Sequence, residues 1–182
     1  MLDCATFLQR ARGRRVLDLG SGFGRWSNFL ASEIDAAVVG IDSAVGGCAL
    51  GARWRPEQAR AVFTVGDVTR LPFTDQSFDA FLAVLIIDNM EKPEGQATLR
   101  ELDRVLCPGA LGFVVLNPWP MPPSADDSSN PTRTCRRHDF DDQEALELMA
   151  SWQILSWERA EHGFRSFRVK TGAATPGTLG QR

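Results

Sequence analysis

The stretch Arg15-Val16-Leu17-Asp18-Leu19-Gly20-Ser21-Gly22-Phe23-Gly24, residues 15–24, decides the fold class. Its first half is a short apolar run that is typical of a buried strand, and its second half holds three glycines in five residues. Apolar side chains then recur at helical spacing at Trp26, Phe29 and Leu30. A buried strand that runs through a glycine-rich turn into a helix is typical of the start of an α/β sheet.

The alternation of apolar runs and helical patterns continues along the chain. Further strands are predicted at 37–42, 61–65, 78–87 and 111–116, and helices at 25–32, 43–60 and 93–106. Strands that are apolar on both faces and are joined by helices form a parallel sheet covered on both sides. Right-handed crossovers make that sheet doubly wound, and such sheets bind ligands at the carboxyl ends of their strands.

The remaining third of the chain is less regular. A helix is predicted at 139–150, followed by two strands at 152–159 and 164–171 that form a C-terminal hairpin. Residues 117–137 are rich in Pro, Ser and Asp, which predicts a long loop near the site. We expect one domain over residues 1–171 and a disordered tail over 172–182.

Composition excludes several classes of protein. The chain has 182 residues, 43% of them hydrophobic and 24% charged, and a formal net charge of −3. This balance is ordinary for a globular protein and lacks the basic excess of a nucleic-acid binder, so no nucleic-acid partner is expected. No apolar run approaches a membrane span, and no signal-peptide pattern is present, which predicts a cytoplasmic protein. The four cysteines show no Cys/His spacing that suits zinc, so no metal is predicted.

The glycine-rich turn is the strongest indication of a ligand site. Glycines let the backbone approach a ligand closely, and the helix that follows offers free N–H groups. A tight turn without a ligand would use the same residues. The spacing is GxGxG, and the third glycine of a dinucleotide-binding GxGxxG pattern would fall at Arg25. A pyrophosphate site, and with it a NAD-dependent oxidoreductase, is therefore the less favoured alternative.

Two carboxylates stand at the ends of the second and third predicted strands. Asp42 is placed where an acid can accept hydrogen bonds from both hydroxyls of a ribose, and Asp67 where it can accept one from an exocyclic amine. Either residue alone could equally cap a helix. Together with the turn after the first strand, they predict a nucleoside pocket with no provision for a charged phosphate.

Four collinear segments carry a family resemblance: VLDLGSGFGRWS at 16–27, VVGIDSA at 38–44, VGDVTRLPFTDQSFDAFLAV at 65–84 and LRELDRVLCPGALGFVV at 99–115. As a set they resemble the class I S-adenosylmethionine-dependent methyltransferases, specifically the small type-11 group. The resemblance implies a Rossmann-like, seven-stranded, mostly parallel sheet with an antiparallel C-terminal hairpin. It also implies S-adenosyl-L-methionine as cofactor and methyl transfer to a small-molecule acceptor by in-line displacement.

The resemblance assigns nine residues to cofactor binding, namely Asp18, Gly20, Ser21, Gly22, Asp42, Ser43, Asp67, Val68 and Val84. In that family the acid at Asp18 orders the glycine turn near the methionine amino group. Asp42 would hold the ribose hydroxyls, Asp67 would meet the adenine amine with Val68 beside the ring, and Val84 would face the sulfonium.

Two departures from the family pattern bear on function. Many relatives carry a histidine after the fourth strand, where this chain has Leu85-Ile86-Ile87-Asp88, so no catalytic residue can be assigned. Only about fourteen residues precede the first motif, where relatives commonly place one or more helices. A cofactor-binding protein that has lost catalysis is therefore kept as an alternative.

Overall fold

The computed structural model describes residues 2–11, 15–117, 140–160 and 162–172. The loop expected at 117–137 and the tail expected at 172–182 lie outside these residues except for Asn117 and Gly172. Among the described residues, no helix has both the length and the apolar character needed to cross a membrane.

Within the described residues, seven strands form one mixed sheet. They are β1 Arg15–Leu19, β2 Ala37–Asp42, β3 Ala61–Val65, β4 Phe78–Val84, β5 Leu106–Leu116, β6 Gln153–Arg159 and β7 Arg165–Lys170. The order across the sheet is β3-β2-β1-β4-β5-β7-β6. The first five strands pair in parallel, and β7 is antiparallel to both β5 and β6. The predicted fold class is confirmed.

Five α-helices lie in the same described ranges. They are α1 Leu2–Leu8, α2 Arg25–Glu33, α3 Val45–Arg53, α4 Lys92–Val105 and α5 Asp142–Leu148. Helix α4 shows why such segments fold as they do: Glu91 and Glu94 form a capping box at its start, and Leu99, Leu102 and Val105 recur along one buried face.

The position of β1 fixes where a ligand can bind. Four of its five residues are buried, and it pairs with β2 on one side and β4 on the other. The chain returns to β4 after β3, so the strand order reverses at β1. The turn after β1 therefore opens at the switch point of the sheet, on the carboxyl edge where doubly wound folds bind ligands.

Strand β4 is shorter than the sequence predicted. It ends at Val84 rather than at residue 87, because Leu85 has a positive φ of 55° and a 3-10 helix follows at Ile87–Asn89. An L-residue with positive φ turns the chain out of the extended conformation.

Strand β5 is longer than predicted. It begins at Leu106 rather than at residue 111, and its pairing with β4 shifts register there, since Phe78 pairs with Leu106 and Ala80 with Leu111. Its ladder with β7 starts at Leu111, and the Gly109 amide donates to the Thr171 carbonyl at 3.0 Å just outside that ladder.

Two helices also differ from the prediction. Helix α3 ends at Arg53 instead of reaching residue 60; Pro56 disfavours helical conformation at the residue before it. Helix α1 was not predicted at all. It buries Cys4, Phe7 and Leu8 in the same apolar cluster as Phe113 of β5, so burial against the sheet stabilises a helix too short to be stable alone.

Candidate functional site

A cavity of about 530 Å³ opens at the carboxyl edge of β1, β2 and β3. Its walls come from the glycine-rich turn, from the ends of β2 and β3, and from the segment between β4 and α4. The lining residues are Gly20, Asp42, Ser43, Val65, Gly66, Asp67, Val68, Thr69, Ile86, Asn89, Met90, Glu91 and Glu94. Five of the nine predicted cofactor residues thus share one cavity: Gly20, Asp42, Ser43, Asp67 and Val68.

The glycine-rich turn is held against β2 by its backbone. The amides of Gly20 and Ser21 donate to the Ile41 carbonyl at 2.9 and 3.0 Å. Gly20 has φ of +69°, and a Cβ atom there would lie 2.8 Å from the Ile86 side chain. Only glycine can adopt this positive φ and lie this close to Ile86 without strain, so the cavity wall at this position is formed by backbone atoms.

Asp42 holds the neighbouring backbone as well as facing the cavity. Its Oδ2 accepts from the Gly22 amide and its Oδ1 from the Ala44 amide, both at 2.8 Å. A carboxylate offers about four lone-pair sites, so each oxygen can accept one further bond. The half-buried carboxylate therefore fixes the turn and can still accept two hydroxyl groups from a ligand.

Asp67 is exposed and oriented by Thr69. Its Oδ1 accepts both from the Thr69 amide at 2.8 Å and from the Thr69 hydroxyl at 2.7 Å. These two hydrogen bonds hold the pKa of Asp67 below its usual value, so the side chain is a carboxylate at neutral pH. Both bonds go to Oδ1, which directs Oδ2 to a different partner.

Asp18 lies beneath the turn instead of in the cavity wall. It is 2% exposed and accepts a hydrogen bond from the Ser27 hydroxyl at 2.5 Å. Burial raises its pKa to about 7, against the lowering effect of the Ser27 donors, and the negative charge of Asp42 adds to the rise. The predicted role of Asp18 in ordering the turn stays a prediction.

Three further predicted residues do not line the cavity. Ser21 is buried at 8% exposure, and its Oγ has no hydrogen-bond partner among the described residues. Gly22 contributes its amide to Asp42. Val84 is half-buried and packs against the apolar cluster on the α1 side of the sheet. The cofactor contacts predicted for these three residues stay predictions.

The cavity is acidic. Four carboxylate residues line it, at Asp42, Asp67, Glu91 and Glu94, and no Lys, Arg or His stands among the described lining residues. The chain as a whole has a formal charge of only −3. The lining therefore carries negative charge that no basic residue among the described lining residues offsets, which favours a ligand with positive charge.

Sequence reasoning missed the wall between β4 and α4. Ile86, Asn89, Met90, Glu91 and Glu94 belong to it. The sequence did carry one usable indication, the capping pair of Glu91 and Glu94 around Pro93, which marks a helix start facing the same edge.

Comparison with known proteins assigns the family. The model of the family described as "Methyltransferase domain" matches residues 16–109, which is just over half of the chain. The chain belongs to the methyltransferase domain family. This confirms the resemblance that the motifs carried, and the match begins at β1 and includes the turn and both strand-end acids.

Relatives of this methyltransferase domain include a demethylmenaquinone methyltransferase and a hydroquinone methyltransferase. It is 42% identical over 113 residues to the demethylmenaquinone methyltransferase of Beutenbergia cavernae, covering 62% of this chain and 44% of that protein. It is 34% identical over 107 residues to the 2-methyl-6-phytyl-1,4-hydroquinone methyltransferase of Synechocystis sp., covering 59% of this chain and 32% of that protein. The chain thus spans less than half the length of these curated relatives.

Solved structures share the fold of the methyltransferase domain. A S-adenosylmethionine-dependent methyltransferase from Methanosarcina mazei has a TM-score of 0.71 at 20% identity, covering 86% of this chain and 92% of that one. The 1,6-didemethyltoxoflavin-N1-methyltransferase of Burkholderia thailandensis, solved with bound 1,6-didemethyltoxoflavin and S-adenosylhomocysteine, has a TM-score of 0.70 at 18% identity, covering 93% of this chain and 76% of that one. Similarity at this level establishes the fold.

Proposed function

We propose that this domain binds S-adenosylmethionine in the acidic cavity and transfers its methyl group to a small-molecule acceptor. One observation carries the proposal: the glycine turn at Gly20 and the carboxylates of Asp42 and Asp67 line a single cavity at the switch point of the sheet. These three elements provide backbone contact, two acceptors for ribose hydroxyls and one acceptor for an exocyclic amine.

The charge of the cavity favours this cofactor over a dinucleotide. S-adenosylmethionine carries a sulfonium and an ammonium against one carboxylate, so its net charge is positive. NAD carries a pyrophosphate with two negative charges, which the four lining carboxylates would repel. The GxGxG spacing points the same way, because Arg25 occupies the place of the third dinucleotide-binding glycine.

Each part of the cofactor has residues that would hold it. Asp42 would accept from the ribose hydroxyls, and Asp67 would accept from the adenine amine with Val68 beside the ring. Gly20, which lines the cavity, would meet the methionine end, where the family resemblance also places Ser21.

Catalysis in this site would depend on placement. The bound cofactor supplies a methyl group already activated by the sulfonium. Holding an acceptor atom about 3–3.5 Å from that methyl, in line with the breaking bond, can supply roughly 7–11 kcal/mol. No histidine stands among the described lining residues, so the proton that an acceptor loses on methylation must pass to a lining carboxylate or to solvent.

We further infer an apolar small-molecule acceptor. Ile86 and Met90 present apolar side chains in the wall beside the glycine turn. Two relatives are named for the methylation of demethylmenaquinone and of a phytyl hydroquinone. A quinol ring is therefore the first acceptor to test.

The test is methyl transfer from labelled S-adenosylmethionine to a panel of acceptors that includes demethylmenaquinol, together with measurement of the S-adenosylhomocysteine formed. We expect labelled product from at least one quinol and none without acceptor. Cofactor binding with no transfer to any acceptor would instead favour a binding protein without catalysis. Binding of NAD in place of S-adenosylmethionine would favour an oxidoreductase.

Asp67→Asn gives a test of the adenine contact. Asn can keep Oδ1 on Thr69, which places an amide N–H₂ where the carboxylate Oδ2 stood. We expect the affinity for S-adenosylhomocysteine to fall about fivefold, the equivalent of one hydrogen bond. S-inosylhomocysteine, which has a carbonyl in place of the amine, should bind the variant better than it binds the wild type. Calorimetry with both ligands measures the ratio, and an unchanged ratio would rule out the adenine contact.

A further inference from the structure

Arg104 of α4 binds the segment that follows β3. Its Nη1 donates to the Phe73 carbonyl and to Asp75, each at 2.8 Å, and its Nη2 donates to the Leu71 carbonyl at 2.9 Å. Its Nε and Nη2 also donate to Glu101 at 2.9 and 2.7 Å. One guanidinium therefore makes five hydrogen bonds, two of them to backbone carbonyls about thirty residues away in sequence.

Glu101 completes the contact from the same helix. Its Oε2 accepts from the Leu71 amide at 2.7 Å. The pair thus holds both peptide groups of Leu71, the amide through Glu101 and the carbonyl through Arg104. The Arg104 hydrogen bonds hold the pKa of Glu101 below its usual value, so both partners are charged at neutral pH.

Residues 71–75, which Arg104 and Glu101 contact, follow directly on the part of the cavity lining that would bind the adenine. Residues 65–69 line the cavity, and the Arg70 amide closes a turn on the Asp67 carbonyl at 3.0 Å. Leu71 is the next residue. The other end of α4 carries Glu91 and Glu94, which line the cavity too. A single helix therefore contributes to one part of the cavity lining and contacts Leu71, which follows another part of it.

We propose that Arg104 and Glu101 are a positioning pair that sets where Asp67 stands against the adenine of the cofactor. Neither residue lines the cavity, so the pair acts through the backbone of Leu71. This inference rests on the proposed function, because it requires the cofactor to bind in this cavity.

Other contacts keep the segment folded without the pair. Leu71 is 4% exposed within the main apolar core, and the Phe73 ring packs edge-on against Phe78 with centroids 5.0 Å apart. Removing the guanidinium should therefore leave the segment docked but free to shift. The expected defect is in cofactor binding rather than in folding.

The experiment compares Arg104→Gln with Arg100→Gln, which removes the same charge from an exposed position on the same helix. We expect Arg104→Gln to raise the Kd for S-adenosylhomocysteine about fivefold, as Asp67→Asn does, because a displaced Asp67 loses the equivalent of one hydrogen bond to the adenine amine; Arg100→Gln should stay within about twofold. Arg104→Lys should give partial rescue at most, because an ammonium lacks the planar donor fork.

The ratio of affinities for S-adenosylhomocysteine and S-inosylhomocysteine is a readout that a purely structural role of the pair would leave unchanged. Arg104→Gln should reduce the preference for S-adenosylhomocysteine over S-inosylhomocysteine, as Asp67→Asn does. In a methyl-transfer assay it should raise KM for the cofactor and leave kcat within about twofold. If Arg104→Gln fails to fold, Glu101→Gln tests the same contact and should show the same loss of selectivity.

Two outcomes would overturn the inference, and they differ. A wild-type protein that binds S-adenosylhomocysteine, with variants that keep its Kd and its selectivity while melting at a lower temperature, would make the pair structural only. A wild-type protein that does not bind S-adenosylhomocysteine at all would overturn the proposed function and the positioning role together.

Discussion

Asp42→Ala should weaken S-adenosylhomocysteine binding by about ten- to 150-fold, the equivalent of roughly 1.5–3 kcal/mol for lost hydrogen bonds to a charged group. The structure adds a second cause to the lost ribose contact. Asp42 also accepts from the amides of Gly22 and Ala44, so the substitution releases the glycine turn as well. The apolar core contains no part of this carboxylate, and we expect the variant to remain folded.

A second ligand separates the two causes. The 2′-deoxy form of S-adenosylhomocysteine lacks one of the hydroxyls that Asp42 is proposed to bind. The wild type should bind it several-fold more weakly than the full ligand, whereas Asp42→Ala should bind both equally. If Asp42→Ala keeps the wild-type ratio of affinities, then Asp42 acts on the turn alone and the ribose assignment is wrong.

Asp18→Asn should stabilise the ligand-free protein increasingly as pH rises. Burial raises the pKa of Asp18 to about 7 in the folded state, against 3.8 as its ordinary value. Between these values the unfolded chain has lost the Asp18 proton and the folded chain retains it. Rising pH therefore lowers the free energy of unfolding of the wild type, and this decrease ends above pH 7. Asparagine does not titrate, so the free energy of unfolding of the Asp18→Asn variant does not decrease for this reason.

The difference in unfolding free energy between Asp18→Asn and the wild type should grow by about 3 kcal/mol from pH 5 to pH 8. The reason is that pH 5 lies about two units below the folded pKa, and each unit corresponds to about 1.4 kcal/mol. Urea unfolding at both pH values measures it, and other titrating groups cancel in the comparison. Asp67→Asn is the control: the pKa of that exposed acid is lowered, so its gap should stay constant over this range. A constant gap for Asp18→Asn would show that the buried carboxylate is not destabilising.

The parallel core of this sheet was predictable because its strands are apolar on both faces. The bounds of β1, β2 and β3 match the sequence prediction. In a parallel sheet, acids that end neighbouring strands meet at one edge, so Asp42 and Asp67 could be placed together from position alone. The C-terminal hairpin was predictable from two short runs around a turn.

The rest depended on contacts between distant parts of the chain. The positive φ of Leu85, which ends β4, has no signature in a run of Val, Leu and Ile. Helix α1 forms because the sheet covers its apolar face. The contact between Arg104 and Leu71 spans 33 residues, and local pattern carries no information on such a pair. Of these features, the turn at Leu85 leads into the cavity wall that contains Ile86, Asn89 and Met90, which the sequence did not predict.

The most direct test of the central claim is calorimetric titration of the wild-type domain with S-adenosylhomocysteine, with NAD as the control ligand. The glycine turn and the carboxylates of Asp42 and Asp67 predict micromolar binding of S-adenosylhomocysteine, about −8 kcal/mol, with one ligand per chain and no heat from NAD. Binding of NAD, or of neither ligand, would contradict the assignment of the cavity to this cofactor.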